Sequence, residues 1–177
     1  SAASDVYKSQ MQDRSILLDV LSKSYAMTGW RLGYRVSTKL LADQFAKLMV
    51  NSNSCTATFT QIAGIEAIQN SQDFVSQMRL EFKTRRDFLV KGLNDIDGLS
   101  CIMPSGAFYT FPNVTGIPMT CVDFSDYLLT EAGVALLPGS SFGMFGEGYI
   151  RMSYASSIDN IQDALIRIDK AISGVRS

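Results

Sequence analysis

The 177-residue chain contains no histidine, three cysteines, four prolines and one tryptophan. Without histidine the commonest general base is missing, and no Ser-His-Asp triad can form. Gly139-Ser140-Ser141-Phe142-Gly143 has the spacing of a hydrolase nucleophile elbow, but that reading fails for want of a histidine. Cys55, Cys101 and Cys121 are odd in number and far apart, with no CxxC pair. A zinc or iron–sulfur centre is therefore not expected, and the thiols read as reduced, which points to a cytoplasmic location. Asn113-Val114-Thr115 matches a glycosylation acceptor but reads as chance in that setting. A net charge of −1 lacks the basic excess that nucleic acid or an acidic membrane surface requires. No apolar run is long enough to span a bilayer. The N-terminal "SAASDVYKSQ" has no apolar centre for a signal peptide.

Hydrophobic residues make up 46% of the chain, enough for a sizeable core. "SILLDVL", residues 15–21, reads as a buried strand of a parallel sheet, and residues 32–36 as a second strand. Residues 39–50 carry a helical stripe of Leu40, Leu41, Phe45, Leu48 and Met49. "NSNSCTAT", residues 51–58, reads as a loop, followed by a helix to residue 69. The longest helical segment begins at Asp73, with Phe74, Met78, Phe82, Leu89, Leu93 and Ile96 on one face. Its other face, with Arg79, Glu81, Lys83, Arg85, Arg86, Asp87 and Lys91, reads as solvated. Gly98 suits its C-terminal cap. Shorter units follow: strands in "GAFYTF", "VALLPG" and "YIRMSYA", a helix closed by Gly133, and a last helix capped by Ser157 with the stripe Ile161, Leu165, Ile168 and Ile172. Two strands are too few for an independent parallel sheet, so the first part reads as an incomplete domain.

The chemistry concentrates in "SKSYAMTGWRLGY", residues 22–34. Lys23 follows a strand end, where ligands of open α/β sheets gather. Its amine can form a Schiff base with an aldehyde. Arg31 can grip a phosphate through paired N–H bonds, and Gly29 and Gly33 would let the backbone turn around it. An aldehyde bearing a phosphate is pyridoxal 5′-phosphate (PLP). From spacing alone, a surface lysine and a salt-bridged arginine are the favoured reading. Trp30 reads as core packing.

The stretch closely resembles the lysine motif of class I (fold type I) PLP-dependent aminotransferases, of the aspartate aminotransferase-like branch. "MQDRSILL", "PSGAFYTFPNV" and "VALLPGSSFGMFGEGYIRMSYASS" resemble further segments of that family, so the similarity covers nearly the whole chain. The resemblance implies a catalytic Lys23 that holds PLP and moves the substrate proton. It also implies that Arg31 binds the PLP phosphate and Arg151 the substrate α-carboxylate. It implies the C-terminal part of the PLP-dependent transferase fold, an α/β architecture. Residues 1–72 would be an incomplete PLP-binding large-domain segment. Residues 73–177 would be a long connecting helix and a small α+β domain. The implied reaction moves an amino group between an amino acid and a 2-oxo acid, in a homodimer. The family's pyridine-pairing aspartate and ring-hydroxyl tyrosine have no counterpart; Asp5 and Tyr7 lie too close together and too near Lys23. The 177 residues are thus expected to be inactive alone. Relatives carry small polar residues just before the lysine, where this chain has Asp19-Val20-Leu21. Two alternatives stay open: another fold type I enzyme, of β-lyase or cyclopropane-carboxylate synthase type, and a self-associating, non-catalytic fragment.

Overall fold

The computed structural model describes residues 11–176, so Asp5, Tyr7 and the N-terminal decapeptide lie outside the described residues. The chain divides into two compact units, residues 1–76 and 77–177.

In the first unit, β1 (Leu17–Val20) runs into a one-turn helix, α1 (Leu21–Ser24). A short 3-10 helix (Thr28–Trp30) and β2 (Gly33–Val36) follow. β1 and β2 pair antiparallel, from Leu17 opposite Val36 to Val20 opposite Gly33. The parallel, fully buried strand expected here is therefore corrected. Two strands joined by a short excursion can pair antiparallel, whereas parallel pairing needs a long crossover. Leu18 is 76% exposed, because no described element covers that face. Two helices complete the unit: α2 (Lys39–Ser52) and α3 (Thr58–Gln69). The apolar stripe of α2 forms as expected, yet no α2 residue is buried and Leu40 is 73% exposed. The buried residues of this unit are few: Leu21, Met27, Thr60 and Gly64.

α4 (Asp73–Asn94) begins where expected and stops four residues before Gly98, which instead takes φ +85° in the following turn. The second unit then adds β3 (Tyr109–Thr110), α5 (Cys121–Glu131), β4 (Leu137–Pro138), β5 (Ile150–Ser153) and α6 (Ile158–Arg176). The three strands form an antiparallel sheet in the order β3-β5-β4. The expected strands shorten because Pro112 and Pro138 lack the N–H that would extend a ladder. Thr120 caps α5 by accepting from the Asp123 N–H at 3.1 Å, and Gly133 at φ +64° follows its last turn. Ser157 caps α6 by accepting from the Asn160 N–H at 3.2 Å. The predicted α6 stripe is buried in full and meets Leu89, Leu93, Phe124, Leu128 and Ile150 in one core. At about 25 cal/mol per Å² of apolar surface removed from water, this core stabilises the second unit far more than the first unit's few buried side chains can stabilise it.

Candidate active site

The excursion carrying Lys23 and Arg31 is closed at its base. The Leu21 N–H donates to the Leu32 carbonyl at 3.1 Å, which prolongs the β1–β2 ladder by one bond. Lys23 lies on α1, one turn after the strand end, and is exposed. The Ala26 N–H donates to the Lys23 carbonyl at 3.2 Å. The flanking glycines do not make the turn. Ala26 (φ +53°) and Arg31 (φ +52°) take the left-handed conformation themselves, while Gly29 and Gly33 keep ordinary φ values. Each such non-glycine residue costs about 1–2 kcal/mol, and strain of this kind collects at ligand sites. Gly33 has a different use: a Cβ there would meet the Asp19 carbonyl at 2.9 Å.

Arg31 lines an open cleft of about 660 Å³ together with Gly29, Trp30, Cys55, Phe59 and Thr60. Its Nη1 donates to the Thr28 carbonyl at 3.3 Å, and no carboxylate pairs with it among the described residues. Trp30 is 45% exposed and meets Phe59 edge-on, with centroids 6.4 Å apart. Trp30 is thus a wall of the cleft, not core. Lys23 is not on the cleft lining. The carboxylate of Asp19 is occupied: Oδ1 accepts from the Val20 N–H at 2.7 Å and Oδ2 from the Tyr34 hydroxyl at 3.2 Å.

In the second unit, Arg151 sits on β5, the central strand of the sheet, and is half-buried. Its guanidinium lies over the Tyr109 ring at 4.4 Å and the Phe142 ring at 4.6 Å. Among the described residues no carboxylate forms an ion pair with it, so the two rings are its visible contacts. Phe142 belongs to a short 3-10 helix (Gly139–Phe142), inside the sequence already set aside as a false nucleophile elbow. That loop doubles back tightly. A Cβ on Gly146 would collide with the Gly139 carbonyl oxygen, and one on Gly139 with that of Gly146. Glu147 then anchors the loop to α5. Its Oε1 accepts from the Cys121 N–H at 3.1 Å, and Oε2 lies 3.2 Å from the Cys121 Sγ. These bonds, the backbone one foremost, hold the Glu147 carboxyl below its ordinary range.

Tyr109, Phe142, Phe59 and Thr60 were not singled out from sequence. For Phe142 a signal existed: it lies nine residues before Arg151 in a glycine-rich segment. For Thr60 there was none, since a helical threonine has no pattern of its own.

Residues 2–168 match the family described as aminotransferase class I and II. The chain belongs to that family. It is 42% identical over 164 residues to an aspartate aminotransferase of Pyrococcus horikoshii, covering 92% of this chain and 42% of that protein. It is also 42% identical over 159 residues to a probable N-acetyl-LL-diaminopimelate aminotransferase of Bacillus subtilis, covering 90% of this chain and 40% of the relative. The crystal structure of the aspartate aminotransferase from Rhizobium meliloti superposes with a TM-score of 0.86 at 40% identity, over 92% of this chain and 42% of that one. The aspartate aminotransferase-like resemblance and the α/β fold are thereby borne out. The chain spans about two-fifths of the length of the curated relatives it matches. The family implies PLP as cofactor. No helix among the described residues is long and apolar enough to cross a membrane.

Proposed function

We propose that this chain supplies Lys23, Arg31 and Arg151 to a PLP-dependent aminotransferase, which moves an amino group between an amino acid and a 2-oxo acid. The observation that carries this reading is Arg31. It is held in a strained left-handed conformation on the wall of a cleft, with no carboxylate partner among the described residues. A cation beside two aromatic rings and the small Gly29 fits a phosphorylated aromatic aldehyde. At Gly29 nothing lies within 4 Å of where a Cβ would stand.

When bound, PLP supplies an electron-withdrawing ring that stabilises negative charge at the substrate α-carbon. Arg31 would hold the phosphate. Lys23 would bind the cofactor through its amine, and later take a proton from the α-carbon and return it during transfer. Arg151 would clamp the α-carboxylate. Its planar fork matches two carboxylate oxygens, and the rings of Tyr109 and Phe142 limit its rotation before substrate arrives. The pyridine-pairing aspartate and ring-hydroxyl tyrosine would come from polypeptide outside these residues, so the 177 residues alone are proposed to be inactive. A homodimer fits the exposed apolar side chains of the first unit, and free thiols fit a cytoplasmic location. The loop at residues 53–57 offers no arginine to select a dicarboxylic substrate.

The test is titration of the chain with PLP, followed by visible absorbance, borohydride trapping and peptide mapping. Label is expected on Lys23 and lost in Lys23→Ala. Equal labelling of the exposed Lys39 and Lys47 would overturn the assignment.

A further inference from the structure

On the charged face of α4, Arg79 and Lys83 are exposed, as expected, while Arg86 is half-buried. Arg79, Lys83 and Arg86 recur at spacings of four and three, which places them on one stripe of the helix. All three line a cavity of about 430 Å³, with Phe82, Gly106 and Tyr154. Among the described residues no acidic one lines it. The carboxylate that touches the stripe is Asp87. Its Oδ2 accepts from Lys83 Nζ at 2.8 Å, and its Oδ1 from Arg86 Nε at 2.9 Å and Nη2 at 2.7 Å. Those bonds hold Asp87 ionised, with its pKa lowered chiefly by Lys83 and then Arg86. Arg79 has no ion-pair partner among the described residues. Three positive charges therefore face a single negative one.

The opposite wall adds donors. Arg86 Nη1 donates to the Pro104 carbonyl at 3.1 Å, so three of the five guanidinium N–H bonds are used and two remain. The Tyr154 hydroxyl donates to the Ala107 carbonyl at 2.8 Å, and Ala107 takes φ +61°. The N–H groups of Ser105, Gly106 and Ala107 have no hydrogen-bond partner among the described residues. Successive N–H groups beside a left-handed residue form a concavity that suits an anion.

We propose that this cavity binds a phosphomonoester dianion. The net charge of the lining with Asp87 is 3 − 1 = +2. A phosphomonoester carries about −1.5 to −2 at pH 7, whereas a carboxylate would leave half of that charge uncompensated. Leu80 and Phe82 give an apolar wall for the ester's organic body. None of Lys23, Arg31 or Arg151 lines the cavity, so the site is additional to the residues assigned to transfer.

The test is calorimetric titration of the chain with phenyl phosphate, inorganic phosphate and benzoate. None is an aldehyde, so Lys23 is not modified. Saturable phenyl phosphate binding is expected, stronger than that of either other probe. Binding should persist in Arg31→Gln, which removes the cation of the cofactor cleft, and in that background weaken about tenfold on adding Arg79→Gln or Lys83→Gln, as loss of one charge-assisted contact predicts. Arg86 is left intact because it fixes the loop. Binding lost in Arg31→Gln but kept in Arg79→Gln would place the phosphate at the cofactor cleft and overturn the proposal. Equal affinity for inorganic phosphate would overturn the choice of an ester, equal affinity for benzoate the choice of a dianion, and the absence of saturable heat the site itself.

Discussion

Arg151 provides the sharpest energetic test, because two rings contact one guanidinium and no carboxylate competes among the described residues. Consider a double-mutant cycle of Arg151→Met and Phe142→Leu. Methionine keeps the aliphatic stem and removes the planar cation. Leucine keeps apolar volume and removes the ring face. Phe142 also meets Phe111 edge-on at 6.1 Å, so the single Phe142→Leu change loses more than the arginine contact. The cycle cancels that extra loss. A cation over a ring contributes about 0.5–1 kcal/mol when exposed and about 2 when desolvated. Arg151 is half-buried with its guanidinium 4.6 Å from the Phe142 centroid, so the coupling energy should be about 1 kcal/mol. Urea unfolding followed by far-UV circular dichroism measures it. The single tryptophan, Trp30, lies in the first unit and separates that unit's unfolding by fluorescence. Single mutants that add to within about 0.3 kcal/mol would refute the coupling. Ring contact could not then be what pre-orients the arginine for a carboxylate.

The loop under Phe142 yields two further expectations, and Gly29 in the first unit a third. Gly146→Ala should destabilise the second unit by about 3 kcal/mol, since its Cβ would meet backbone that cannot rotate away. Gly29→Ala, with nothing within 4 Å, should leave the urea midpoint unchanged or slightly raised. The Glu147 pKa is depressed on folding, so its bonds to Cys121 contribute stability above the unfolded carboxylate pKa. That contribution is lost as pH falls through the lower folded value. Glu147→Gln should therefore flatten the acid limb of the urea midpoint against pH. An unchanged limb would mean that Glu147 does not anchor the loop.

The elements most legible in the sequence are those whose partners lie close by in the same unit. The α6 stripe and its Ser157 cap could be read directly, because Ile161, Leu165, Ile168 and Ile172 all meet the core they require. The α2 stripe has the same periodicity, yet Leu40 and Leu48 remain exposed. Periodicity records which face is apolar; what covers that face is outside its reach. Strand direction failed for a similar reason. "SILLDVL" has the composition of a parallel strand, but its described partner is the segment just downstream, which pairs antiparallel. At the candidate site, Lys23, Arg31 and Arg151 stood out by motif. The backbone around Arg31 did not, because sequence suggests that glycines make a turn, and here alanine and arginine make it. The stripe of Arg79, Lys83 and Arg86 was legible as charged and solvent-facing, but a charged helix surface does not record the cavity beside it.

The two units differ in how much of their apolar surface they satisfy. The core of buried residues runs from Leu89 to Ile172, entirely within residues 77–177. Residues 1–76 bury Leu21 and Met27 but expose Leu18, Leu40, Leu48, Phe59 and Ile62. Leu18, Leu40, Leu48, Phe59 and Ile62 are each more than half exposed. These side chains lie on β1, α2 and α3, so no single local rearrangement can bury them. The relatives are more than twice as long, and the same fold segment occurs within them. Among the described residues these side chains have no full apolar cover. The first unit's strained loop rests on few buried side chains, whereas the arginine of β5 rests on a core that is already closed.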